Sequence, residues 1–190
     1  MLFLCFSLFG MALTAQDSTT EYDYTVHVGA FFKPEMEDFD RIQSLGFMYA
    51  EAAEQNLTRI YLGRYPNETA AYKTLGQVKN SGYPDAFVTR KKIDPNAITY
   101  SIYLGTERLS GPINWADYNR AGKLYALINN DLIDIYAGQH DTADEANRIL
   151  AATRKIGLVN AEVKSINPGY LRKVTEFEAC LLYTSDAADE

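Results

Sequence analysis

Ile60-Tyr61-Leu62-Gly63 returns 75 positions later as Ile135-Tyr136-Ala137-Gly138, and this echo decides the fold. At the same offset Ala71 falls on Ala146, Leu75 on Leu150, Gly82 on Gly157 and Val88 on Val163. Upstream, Tyr24-Thr-Val-His-Val-Gly29 pairs with Tyr100-Ser-Ile-Tyr-Leu-Gly105 at an offset of 76, the one-residue difference that a small loop change produces. An ordered set of matches with shared glycine punctuation is the signature of a duplicated unit. The first copy covers residues 21–93 and the second 97–166, joined by the turn-prone Asp94-Pro95-Asn96. So short a linker predicts that the copies pack against each other.

Within the first copy, Tyr24 to Phe31 alternates as a half-buried strand. Glu35 to Leu45 then sets Met36, Phe39 and Ile42 at helical spacing before Gly46. Phe47 to Glu54 and Leu57 to Gly63 read as two strands around a turn at Gln55-Asn56. Asn67 caps a helix that turns Ala71, Leu75 and Val78 inward and closes at Gly82. Tyr83 to Thr89 completes the unit as a strand. The second copy repeats the order: a strand over Thr99 to Leu104, a short helix around Ile113 to Asn119, and a hairpin of Lys123 to Ile128 with Leu132 to Ala137. A helix follows, capped by Thr142 with Glu145 three residues on and ended by Gly157, and then a strand over Val159 to Ile166. The order βαββαβ predicts an α+β fold of two tandem ferredoxin-like modules, each a four-stranded antiparallel sheet with two helices on one face. The other face of each sheet is left open.

Charge and cysteine narrow the chemistry. The net charge is −7 and no basic stripe is present: Lys91-Lys92 and Arg172-Lys173 are isolated pairs. Grip on a phosphate backbone needs such a stripe, which argues against nucleic acid and against an anionic membrane surface. Residues 21–179 contain no cysteine, which removes disulfides, thiol nucleophiles and cysteine-rich zinc sites from that span. The two histidines, His27 and His140, fall in different copies, and a metal site needs several convergent ligands. Phosphate-loop and dinucleotide fingerprints are absent, and no nucleophile–base pair can be nominated; the reading is a protein without cofactor, metal or catalytic residues.

Residues 1–15 read as a secretory signal. Leu2 to Leu13 is almost wholly apolar, too short to span a membrane, and Ala15 precedes a polar start at Gln16. An exported, envelope-located chain without a membrane span in its mature part is expected. Residues 167–179 extend the second copy. Residues 180–190, CLLYTSDAADE, continue no earlier pattern and resemble translated adapter read-through, an expected non-native tail.

Several stretches resemble the SPOR (sporulation-related repeat) family. Tyr24-Thr-Val-His-Val-Gly-Ala-Phe31 is similar to its first strand, and Arg59-Ile-Tyr-Leu-Gly-Arg-Tyr65 to its third. Thr69-Ala-Ala71 through Gly82-Tyr83 resembles its second helix and exit, and Asp85-Ala-Phe-Val88 its closing strand. Both copies resemble the family, the second more distantly. The chain departs from the family pattern at His27, where glutamine is usual, and at Tyr61, where a second arginine is usual. The second copy has Tyr103, Asp134 and Tyr136 at the corresponding positions. The resemblance implies non-catalytic binding of peptidoglycan, specifically of glycan strands stripped of stem peptides, in the bacterial periplasm at division septa. It also leaves open an adaptor of envelope or division proteins that keeps the fold without the glycan.

Strand alternation nominates the binding residues. Ile60 and Leu62 point to the helices, so Arg59 and Tyr61 point to the open face, joined by His27 and Phe87. In the second copy the same logic places Ser101, Tyr103, Asp134, Tyr136 and Glu162 there. Flat rings for sugar faces, flanked by donors and acceptors, make His27, Arg59, Tyr61, Phe87, Tyr103 and Tyr136 the expected glycan-binding set. An exposed strand that merely carries aromatics, or a face packed on the other copy, is the alternative. Trp115 reads as core.

Overall fold

The computed structural model describes residues 21–179; the expected signal sequence and the 180–190 tail lie outside them. The first module contains β1 (Glu21–Phe32), α1 (Asp40–Gln43), β2 (Met48–Ala52), β3 (Leu57–Tyr65), α2 (Glu68–Asn80) and β4 (Phe87–Ile93). The second contains β5 (Thr99–Arg108), α3 (Trp115–Asn119), β6 (Leu124–Asn129), β7 (Leu132–His140), α4 (Ala143–Lys155) and β8 (Glu162–Ile166). A C-terminal segment adds β9 (Arg172–Lys173) and α5 (Glu176–Ala179). The first sheet has the order β2-β3-β1-β4 and the second β8-β5-β7-β6-β9, all pairs antiparallel. Both modules are ferredoxin-like. The second sheet differs from the expected four strands because β9 pairs with the edge of β6 and covers donors and acceptors that would otherwise face solvent.

The helices follow from local chemistry. Asn67 accepts from the Ala70 amide and starts α2, while Thr142 accepts from the Glu145 amide and starts α4. The stretch after β1 is a 3-10 turn (Met36–Phe39) running into the single turn of α1. Its inward residues are nonetheless those the spacing selects, Met36, Phe39 and Ile42. The closing strands begin later than their apolar content suggests. The turns Tyr83–Ala86 and Leu158–Ala161 each close with a backbone hydrogen bond first, so β4 starts at Phe87 and β8 at Glu162.

The duplication extends to the irregularities of the sheets. β1 and β3 slip register between Tyr24 and Val26 and again between His27 and Gly29; β5 and β7 slip at the corresponding Tyr100/Ile102 and Tyr103/Gly105. The bulge glycines, Gly63 and Gly138, have φ of +69° and +68°, the left-handed region that other residues enter at a cost. The hydroxyl of Thr25 donates toward the carbonyls of Leu62 and Gly63, and that of Ser101 toward those of Ala137 and Gly138. An aromatic ring two residues on, Tyr65 or His140, lies over each glycine, where a Cβ would meet it at 2.5 or 2.6 Å.

Each module has its own apolar core between sheet and helices, one around Val26, Ile60 and Leu62, the other around Ile102, Ile133 and Ile135. Trp115 is buried in the second, as its sequence context implies. The modules meet along their β2 and β6 sides, with the C-terminal segment between them. Phe177 joins the first core and stacks edge-on to Phe39, while Val174 and Ala179 join the second. Glu178 reaches across to accept from the Ala50 amide of the β2 edge at 2.7 Å. Phe47 of the first module reaches Trp115 of the second, ring centroids 6.3 Å apart.

Candidate functional site

Register brings four rings into one line across the first sheet. Tyr49 pairs with Tyr61, Tyr61 with His27, and His27 with Phe87, so one position of each strand contributes to a single row on the helix-free face. Tyr49 and Tyr61 stack at 5.2 Å with a 16° interplanar angle. Tyr61 and His27 meet nearly edge-on at 5.2 Å, and His27 and Phe87 are tilted at 4.6 Å. Such offset and edge contacts are favourable for rings, each adding about 0.5–1.5 kcal/mol beyond area burial. Arg59 and Glu51 face each other two pairs further along the same strands, on the same face.

The row is exposed unevenly. Phe87, on the edge strand β4, is 51% exposed; Tyr61 and His27 are half-buried; Tyr49 is 3% exposed. The cover over Tyr49 is the C-terminal segment, with the Arg172 guanidinium 5.4 Å from its ring centre. Beside the row lies a groove of about 190 Å³ bounded by Thr25, Tyr49, Glu51, Tyr61, Thr89 and Lys91 on the sheet and by Leu171, Arg172 and Lys173 on the segment. Burial lowers the His27 pKa, and the nearby Arg59 guanidinium lowers it further against the opposing pull of Glu51. The ring is therefore neutral near pH 7, and its buried Nδ1 has no hydrogen-bond partner among the described residues. Burial raises the Tyr61 hydroxyl, with the Glu51 carboxylate adding to it, so the phenol remains a donor. The face thus offers flat apolar rings, the Glu51 carboxylate, the Arg59 guanidinium, the Lys91 ammonium and neutral donors.

The second module has the same row with different contents. Tyr125, Tyr136, Tyr103 and Glu162 are in register across β6, β7, β5 and β8. Here the chain occupies its own face. Lys164 sits 3.5 Å above the Tyr103 ring and 3.0 Å from the Glu162 carboxylate. The Tyr103 hydroxyl bonds Thr106 at 2.6 Å, and Thr106 donates to Asp134. Tyr136, expected on an open surface, is 4% exposed, and burial pushes its hydroxyl up to about 12, with Asp134 contributing. Ser101, also expected there, is fully buried as the bulge clasp. Alternation places a side chain on a face correctly but cannot say whether that face is covered, and this is the reason both expectations fail.

Of the six nominated residues, the structure brings His27, Tyr61 and Phe87 into contact and sets Arg59 beside them. Tyr103 and Tyr136 contact each other, centroids 5.6 Å apart, in the second module. Tyr49 and Tyr125 were missing from the nominated set. The signal for Tyr49 lies in the alternation along β2, with Met48 and Ala50 buried on the core side and Tyr49 and Glu51 at the alternate positions. The covering segment left no comparable local trace.

No protein-family profile matches the chain, and no curated protein matches it. Among solved structures the chain is similar to one described as "Crystal structure of putative glycine cleavage system transcriptional repressor", at 13% identity over 82% of this chain and 99% of that one, with a TM-score of 0.22. A likeness at that TM-score carries no functional argument. No helix among the described residues is long and apolar enough to cross a membrane.

Proposed function

We propose that the chain is a non-catalytic binding protein of the bacterial cell envelope whose first module holds peptidoglycan glycan strands freed of stem peptides. The observation that carries this reading is the in-register row of Phe87, His27, Tyr61 and Tyr49 on a helix-free sheet face. Sugar rings present apolar C–H faces that lie on aromatic rings, while hydroxyl and acetamido groups require flanking donors and acceptors. Glu51, Arg59, Thr89 and Lys91 supply these around the row. The resemblance to SPOR modules and the apolar run at Leu2 to Leu13 support export and an envelope location, including the division septum.

The second module serves a different purpose in this reading. Lys164, Glu162 and the Thr106–Asp134 pair occupy its face. It supports the first module and gives the adaptor alternative its one specific observation: a retained fold in which Lys164 lies over the central ring, Tyr103.

Sedimentation with purified sacculi tests the proposal. Residues 16–179 are expected in the pellet, more so after an amidase has removed stem peptides. Absence from the pellet with both preparations rejects glycan binding and leaves the adaptor.

A further inference from the structure

We infer that the first module holds the end of a glycan strand rather than its interior, because the chain's own C-terminal segment closes one end of the ring row. The inference rests on the glycan-binding reading above. The row runs from Phe87 on the free edge strand β4 to Tyr49 on β2. At the Phe87 end no further strand follows among the described residues, and the ring is half-exposed. At the Tyr49 end Arg172 covers the ring, and beyond it Glu178 is bonded to the β2 edge at Ala50. A polymer that follows the rings from Phe87 therefore meets a wall after Tyr61.

The same segment blocks the perpendicular path. A polymer lying along the strands, from His27 past Thr25, reaches Asp23, which is buried beneath Arg172. Leu171, at the wall of the groove, is itself buried. The wall is also anchored: β9 is paired to β6, Arg172 is ion-paired to Asp23, and Tyr170 lies against Arg64 with 4.4 Å between guanidinium and ring. The groove volume of about 190 Å³ is below the roughly 300–1,000 Å³ of sites that enclose a drug-sized ligand, which suits one terminal ring with the rest of the strand leaving over Phe87. Glu51 and Lys91 flank the groove with opposite charges, so either a donor or an acceptor on the terminal sugar finds a partner.

Stoichiometry on strands of known length tests this. Peptide-free glycan strands are separated by length and titrated with the intact protein, and the bound protein per strand is read by sedimentation velocity. End recognition gives one protein per strand at every length. A number that rises in proportion to length overturns the inference while leaving glycan binding intact. Absence of binding at every length rejects the glycan reading itself and the inference with it. Short chitooligosaccharides provide a second readout: affinity levels off once the row is filled, whereas continued gain with each added unit counts against a closed end.

Discussion

Asp23 and Arg172, 149 positions apart, form a buried ion pair that joins the first strand of one module to the strand added at the end of the other. The Asp23 side chain is 1% exposed and is held from its other side by Arg64 at 2.7 Å. Two guanidinium groups thus compensate one carboxylate taken out of water. Arg64 also donates to the Ile128 carbonyl of β6, so the same cluster reaches across the module boundary twice.

Removing one member of a buried pair leaves the other charged and unpaired, which costs about 3–5 kcal/mol. Asp23→Ala is expected to destabilise the whole chain by that amount in urea unfolding. Because Asp23 ties the modules, unfolding of the native protein should follow one transition and that of the variant two. A single unshifted transition in the variant would show that the pair contributes nothing to coupling.

Gly63→Ala and Gly138→Ala should each lower stability by roughly 1–2 kcal/mol, the cost of a side chain in the left-handed region. The added Cβ must also displace Tyr65 or His140. Thr25→Ser should be close to neutral, since Ser101 forms the same clasp with a serine hydroxyl. Thermal melts of the three variants check the pattern.

Phe87→Ala should reduce retention on amidase-treated sacculi with little change in Tm, while Tyr61→Ala should reduce retention and also cost about 1–3 kcal/mol through its two lost ring contacts. Tyr136→Ala should do the reverse of Phe87→Ala, losing about 3–5 kcal/mol of stability through a buried cavity. Weakened retention with unchanged Tm for Tyr136→Ala would mean that its face is open.

Two groups give the stability a pH dependence of opposite sign. Burial raises the Glu178 carboxyl above its ordinary 4.5, against the hydrogen bonds from Thr175 and Ala50. A raised folded-state pKa contributes stability that is fully present below the unfolded value and is lost as pH rises through the folded one. Burial lowers His27 below 6.5, so its contribution is present above 6.5 and is lost as pH falls toward its folded value. Stability measured against pH should lose the acid-side decline around and below 6.5 in His27→Phe and the alkaline-side decline above 4.5 in Glu178→Gln. An unchanged profile in either variant would remove that group as the cause.

The eight strands of the two modules, the helix caps at Asn67 and Thr142, the core residues Val26, Ile60 and Leu62, and the membership of His27, Tyr61 and Phe87 in one face are legible in the sequence. Each depends on neighbours within a few residues or on the period of two along a strand. The same rule places Tyr49 on that face, because Met48 and Ala50 on either side of it point into the core. The buried state of Tyr136 and Ser101 is not legible, because cover comes from side chains distant in sequence.

By itself the sequence determined the duplication, the order of elements and the side of the sheet on which each ring lies, since these are properties of local periodicity and of an internal repeat. The tertiary structure decided which face remains free and how far it extends. Residues 167–179 carry no strong periodic signal, yet they add a fifth strand, pair Arg172 with Asp23 and cover Tyr49. Those contacts depend on a sheet edge and a buried charge that exist only once both modules have folded.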